Sequence, residues 1–399
     1  MNSSTSSSDW VFVKIFLAIV LGMGAAMGIV RVFVWLNDAS AETIIGRVME
    51  AKAALPEIVA TEVPVVMVYG SSLVQAAFSP REFDQQLAEL GTEVKSFNFG
   101  FGGLNPYFQD FLSRRIHEEF DAGGKRLKLA IIEFNPFQAT QSRWQGALSS
   151  VDSFITMLAN DQEIREISLQ DPERGALLFN IKYLRNDISA EMITSFYGRP
   201  FRSPRARSQL QEDQQAEKVR DELGQLLNQQ FEKDYPDYGG EEWGWGWQGG
   251  GTIPSERSAE TLEIVNRFYA AGQTDYRMDN DRLFRIDCCD ILEMNFEPLL
   301  VEAFIRIVHN FQQFSDQVEV ILLPRNTDWI EYTPEARQRL EYTISAIEAA
   351  TGVSVRNYQS IDAVNNKMFA DTTHLNRYQG AVGFTGFLVD QYADDLRQH

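Results

Sequence analysis

Apolar positions along this chain fall into one long uninterrupted block, several short β-branched runs and several stripes with helical spacing. The block is Trp10–Leu36, apolar except for Lys14 and Arg31, with no charge from Phe16 to Val30. Such a stretch is long enough to cross a bilayer. Trp10 and Trp35 stand at its ends like interfacial anchors, and Arg31 lies where a long side chain can snorkel. The pattern predicts a transmembrane anchor at 10–36, after a polar, Ser-rich tail at 1–9 expected to be disordered. The block is long for a signal sequence and no small-x-small site follows it, so a retained anchor is expected, with later clipping as the alternative. Gly24 and Gly28 form a GxxxG spacing, which marks either a flexible span or a packing face for a membrane partner. Residues 37–63 read as an amphipathic helical connector (Ile44, Ile45, Val48, Met49, Leu55).

The short runs and stripes then alternate. Val65–Val68 reads as a buried strand, broken by Gly70-Ser71-Ser72 and followed by helical composition at Leu73–Phe78. Pro80–Leu90 is predicted helix, Glu93–Asn98 strand, Asn105–Phe120 helix, and Arg126–Phe134 strand. Alternation resumes with a helix at Leu292–Phe314, a strand at Gln317–Leu323, a helix at Thr333–Thr351 opened by Thr-Pro-Glu, and a strand at Val353–Tyr358. Strand–helix alternation predicts an α/β fold with a parallel sheet between two helical layers. From about 138 to 290 the chain is more polar, helical in period near Arg205–Phe231 and Ala259–Ala271, with no strand series; this region reads as an insertion. Within it, Trp243, Trp245 and Trp247 alternate with glycine. They form either a loop packed on the body or an aromatic platform that stacks on sugar rings. The organisation expected is therefore tail, anchor, connector, and a catalytic domain at 64–399 carrying the insertion.

Charge narrows the partners. The 399 residues carry 36 basic and 56 acidic side chains, a net charge of −20. That surface repels nucleic acid and anionic lipid, and an anionic polymer would need a local basic patch. Cys288 and Cys289 are the only cysteines. Neighbours in sequence cannot staple the fold; they read first as buried thiols, with a vicinal disulfide or part of a metal pair as alternatives. With four histidines and no Cys/His cluster, neither a metal nor a cofactor is expected.

Four polar blocks fall at predicted strand ends or in the loops after them: Gly70-Ser71-Ser72, Asn98 to Gly103, Glu133-Phe134-Asn135-Pro136, and Asp371-Thr372-Thr373-His374. In a parallel sheet the strands' carboxyl ends share one edge, where ligand sites form. A serine at a strand-to-helix turn is placed either as a helix cap or as a nucleophile facing a helix N-terminus. His117 and His309 lie on helix faces and read as packed or surface residues, and His399 is the last residue. Arg325, in the loop after the Gln317–Leu323 strand, is a candidate contact for an anionic group, or a surface residue. Glu133 either joins the site or ends its strand.

The order of these blocks resembles the SGNH (GDSL-like) hydrolase superfamily over 64–135 and about 292–396. The resemblance implies Ser72 as nucleophile, with Ser71 as the rival register. It also implies Gly103 and Asn135 as oxyanion donors, and Asp371 and His374 as orienting acid and base. The expected domain is then a three-layer SGNH/flavodoxin-like fold. A serine hydroxyl needs an imidazole to take its proton, and an aspartate three residues before the histidine is close enough to fix its tautomer. Gly103 permits close backbone approach, and Asn135 with the Ser72 N–H completes an oxyanion hole. GSSL, EFNP, the anchor and the insertion are together similar to anchored members that work beside membrane-bound O-acyltransferases in alginate O-acetylation and teichoic-acid D-alanylation. The function expected is a serine-dependent O-acyltransferase on a cell-surface glycan. It would be held by one span in the cytoplasmic membrane, with its body on the periplasmic or extracellular side and its acyl donor delivered by such a partner. A carbohydrate esterase and a non-catalytic glycan-binding subunit are the alternatives.

Overall fold

The computed structural model describes residues 7–36, 44–148, 151–184, 211–234, 258–376 and 378–397. Its centre is a parallel five-stranded sheet in the order β2-β1-β3-β4-β5: β1 Val65–Ser71, β2 Lys95–Phe101, β3 Leu127–Glu133, β4 Ser315–Leu322 and β5 Val355–Asn357. All four pairings are parallel. β1 and β3 are buried along nearly their whole length, which is why both read as continuous apolar runs rather than as alternation. The chain leaves β1 toward β2 and then crosses back to β3. The order therefore reverses between β1 and β3, the point where doubly wound sheets open a crevice.

Helices cover both faces. α1 is Ser7–Leu36 and α2 is Ile44–Val59. α3 (Ser72–Ala77) and α4 (Pro80–Glu89) join β1 to β2, and α5 (Pro106–Ala122) joins β2 to β3. α2 and α5 pack with Phe304, Ile307 and Phe311 of a later helix on one face. Val74, Phe78 and Phe83 from α3 and α4 pack with Phe384, Leu388 and Tyr392 on the other. Those partners belong to α13 (Pro298–Phe314) and α15 (Gly380–Arg397); α14 (Pro334–Thr351) lies between them in sequence. The insertion is helical where described: α6 Gln141–Ala147, α7 Val151–Leu158, α8 Asp161–Gln170, α9 Pro172–Phe179, α10 Gln211–Asp234, α11 Ala259–Gly272 and α12 Asp275–Cys289.

Several boundaries differ from the sequence reading for local reasons. β1 does not stop before the glycine; its pairing with β2 runs on through Gly70 and Ser71. α13 starts at Pro298, not Leu292, because Glu297 is extended and proline suits the first helical position. Cys288 and Cys289 are not free thiols. Their Cα atoms lie 3.8 Å apart and the two sulfurs are bonded to each other.

Among the described residues no helix is long and apolar enough to cross a membrane. The backbone of α1 nevertheless runs 30 residues. Its described side chains, unbroken from Trp10 to Ala26, are exposed and, apart from Lys14 and the two glycines Gly22 and Gly24, apolar.

α2 reaches the sheet through one buried charge. Arg47 donates from Nε to the Gly100 carbonyl at 2.6 Å and from Nη2 to the Asn98 carbonyl at 2.9 Å. These carbonyls lie near the carboxyl end of β2, so the connector helix braces the edge where the polar blocks gather.

Candidate active site

The end of β1 turns directly into α3, and two adjacent serines divide the work there. Ser71 is the helix cap. It is buried, and its Oγ accepts from the Leu73 N–H at 3.1 Å and from Asn135 Nδ2 at 2.8 Å while donating to Glu133 Oε1 at 3.1 Å. Its hydrogen-bonding capacity is filled, and none of these partners is an imidazole. Ser72, the first residue of α3, instead places Oγ 2.8 Å from His374 Nε2. Ser71, the rival candidate for the nucleophile, thus occupies the capping position, while Ser72 is half-buried and faces the imidazole.

His374 is held by a loop built around one carboxylate. Asp371 Oδ1 accepts the backbone N–H groups of Thr373 and His374, both at 2.8 Å. Oδ2 lies 2.8 Å from His374 Nδ1. The loop is closed by Ala370 N–H donating to the His374 carbonyl at 2.7 Å and Asn376 N–H donating to the Met368 carbonyl at 2.8 Å. Asn376 Oδ1 then accepts from the N–H groups of Gln379 and Gly380 at the start of α15. A carboxylate at Nδ1 assigns the ring proton there and leaves Nε2 to accept from Ser72. Burial pushes the Asp371 carboxyl up. The charge and hydrogen bonds of His374, with Arg285, outweigh burial and hold it well below the usual carboxylate range.

Glu133, at the end of β3, is the acid that sequence reasoning left undecided. It is buried, and its Oε2 accepts from the Ser71 N–H at 2.6 Å. A Cβ on Gly70 would come within 2.4 Å of that oxygen, so the glycine of the first block makes room for Glu133. Burial pushes the Glu133 carboxyl up to about 7, against hydrogen bonds from Ser71 and the charge of His374. Asp84 is likewise raised to about 7 by burial, against Ser96 and Lys95. Both folded values stand above the ordinary carboxylate value. Their contribution to stability is therefore full below about pH 4 and is lost as pH rises through about 7. Urea unfolding is expected to show lower stability at pH 8 than at pH 5.5, and Glu133→Gln should shrink that difference by removing one of the two groups. An unchanged difference would contradict the assignment to Glu133.

The donors implied for the oxyanion are near the serines but engaged differently. Asn135 gives one N–H of its amide to Ser71 Oγ, not to Ser72, and its Oδ1 accepts from the Phe137 N–H at 2.9 Å. An amide has a second N–H. Gly103 has φ +77° and its carbonyl accepts from Arg143 Nη2 at 2.9 Å. Gly102 runs beside Ser72: a Cβ there would lie 3.7 Å from Ser72 Cβ. Burial pushes the Arg143 guanidinium down, and the like charge of Arg285 adds to this.

Ser72 and His374 open on a cleft of about 540 Å³. Its far wall comes from the insertion: Arg220 and Leu227 of α10, and Phe268 and Tyr269 of α11. The guanidinium carbon of Arg220 lies 4.9 Å from the centre of the Phe268 ring. Arg325 is not in this cleft. It stacks over Tyr332 at 4.0 Å and borders a separate cavity of about 10 Å³ with Leu73, Glu133 and Thr373, too small for a substrate group. The structure thus does not bring Arg325 to the cleft that Ser72 and His374 line. Trp243, Trp245 and Trp247 lie outside the described residues. His117 stacks on Phe314 and His309 contacts Gln312, both away from the serines. Among the described residues no group of His, Cys, Asp and Glu is arranged to hold a metal ion.

Sequence reasoning missed Arg285, Asp281, Arg47 and Arg220. Asp281 and Arg285 are four apart on one helix, a spacing that reads as a solvated ion pair. Nothing local ties them to a loop ninety positions later. No protein-family model and no curated protein matches this chain.

Proposed function

We propose that the chain is a serine-dependent O-acyltransferase of SGNH type that acts on a cell-surface glycan. One observation carries the reading: Ser72 Oγ, His374 and Asp371 form a continuous hydrogen-bonded series at the mouth of a large cleft. In this reading His374 Nε2 takes the hydroxyl proton as Ser72 Oγ attacks the acyl carbonyl. Asp371 holds the ring and stabilises the imidazolium. The Ser72 N–H at the head of α3, the Gly102-Gly103 backbone and the second Asn135 N–H are the candidate donors to the oxyanion. His374 then returns the proton to the leaving alcohol. The acyl-serine passes its acyl group to a second hydroxyl, the proton again travelling through His374. The aromatic wall at Phe268 and Tyr269 is suited to stacking on a sugar ring.

The exposed apolar surface of α1 supports an anchor. The anchor would hold the body beside a membrane-bound partner that supplies the acyl donor. Deleting residues 1–36 is expected to release the protein from carbonate-washed membranes; persistent membrane association would contradict the anchor.

Hydrolysis is the second reading, and the partial exposure of the His374 side chain, 20%, supports it, because water reaches the base. The two separate by partition. With p-nitrophenyl acetate as donor, a glycan acceptor should divert acetyl groups from free acetate into ester. Equal acetate release with and without the acceptor would replace transferase by esterase.

A further inference from the structure

We propose that Arg285, on α12 of the insertion, is a positioning residue that holds Asp371 ionised and aligned for His374. The inference rests on the Ser72–His374–Asp371 reading and adds a role for the insertion. Arg285 Nη2 lies 3.3 Å from Asp281 Oδ1 and 3.8 Å from Asp371 Oδ2. Asp281 Oδ2 accepts from the Thr372 N–H at 3.3 Å and from the Thr372 hydroxyl. One turn of α12 thus grips two consecutive residues of the loop, Asp371 through charge and Thr372 through hydrogen bonds. Thr372 is fully buried, Arg285 Nε is buried without a hydrogen-bond partner, and the guanidinium lies against the two carboxylates and 5.5 Å from the centre of the Phe284 ring.

The oxygens of Asp371 are otherwise committed. Oδ1 takes two backbone N–H groups and Oδ2 takes the imidazole. Arg285 approaches the oxygen that orients the ring, where a cation favours the carboxylate over the acid. Its positive charge also opposes a second positive charge on the neighbouring imidazole. Among the described residues, the other charged groups that act on these are Asp281 on the same helix, Glu133 at the end of β3, which acts on His374, and Arg143 of α6, which opposes Arg285.

The test uses the full chain and a fluorophosphonate, which needs only an activated serine, with the labelling rate followed across pH. Arg285→Gln is expected to lower the maximal labelling rate by about tenfold, the scale of a small misalignment. Half-saturation should stay within about twofold. The acid limb of the profile should move to higher pH by about half a unit or more, because a cation that opposed protonation is gone. Arg285→Lys should return the limb toward its original position. Asp281→Asn, which removes a neighbouring negative charge, should move it the other way. Loss of rate in both Arg285 variants with an unmoved limb would reduce Arg285 to a structural brace and overturn the proposal. So would full labelling in Arg285→Gln. If Ser72→Ala still labels at the original rate, the catalytic reading itself fails, and the role of Arg285 fails with it.

Discussion

Replacing Ser72 by alanine should lower turnover of p-nitrophenyl acetate by about a thousandfold or more while leaving the urea midpoint unchanged. The hydroxyl makes its short contact with His374 Nε2, and the cap of α3 is supplied by Ser71. Removing Ser72 Oγ therefore takes away the proposed acyl acceptor without uncapping the helix. His374→Ala should cost a similar factor. The double variant should be little worse than either single one, since the two groups act as a unit. Ser71→Ala should show the opposite division. Loss of a cap costs about 1 kcal/mol of stability, and the proposed nucleophile remains. If Ser71→Ala abolishes turnover and Ser72→Ala does not, the register of the site is wrong by one residue.

The second large effect is expected at Gly100. In β2 its Cα passes so close to α3 that an added Cβ would lie 2.2 Å from the Gln75 nitrogen, 2.7 Å from Gln75 Cα and 2.8 Å from the Ser71 carbonyl oxygen. All three obstacles are backbone, so no rotamer change relieves the clash. α3 is six residues long and cannot stand on its own hydrogen bonds. It is held by buried Asn98, whose Nδ2 donates to the Phe78 carbonyl at 2.7 Å and the Val74 carbonyl at 3.2 Å. Pushing β2 from α3 would strain these bonds and the Arg47 bond to the Gly100 carbonyl together. Gly100→Ala should therefore cost about 3 kcal/mol or more, at or beyond the upper end of ordinary overpacking, and slow the labelling of Ser72. Gly91→Ala is the control. Gly91 has φ +83° with open space around it, so only the backbone penalty of about 1 kcal/mol is expected. Equal losses at the two positions would show that the close approach of β2 to α3 does not matter.

Much of this arrangement is legible in the sequence, for identifiable reasons. β1 and β3 are buried on both faces, so an apolar run signals each. Thr333 before Pro334 announces α14, and its side chain does cap the Ala336 N–H at 3.1 Å. The Asp371–His374 spacing is local, so one short loop carries both residues and their contact follows from it. What was not legible depends on contacts between distant segments. Glu133 reads as the last residue of a strand until Gly70 and Ser71 are seen beside it. Arg325 reads as a loop cation until it is found over Tyr332, away from the cleft. Arg47 belongs to an apparent connector, yet it is buried against the end of β2. Arg285 looks like half of a helix-surface pair, and only the packing of α12 on the last loop brings it to Asp371.

In the proposed reaction Ser72 carries the acyl group between donor and acceptor. Rapid acid quench after mixing the full chain with p-nitrophenyl acetate, followed by peptide mass spectrometry, tests it directly. One added acetyl group on Ser72 is expected, lost in both Ser72→Ala and His374→Ala. An acetyl group found on Ser71, or turnover without an adduct on Ser72 at the shortest quench times, would contradict it.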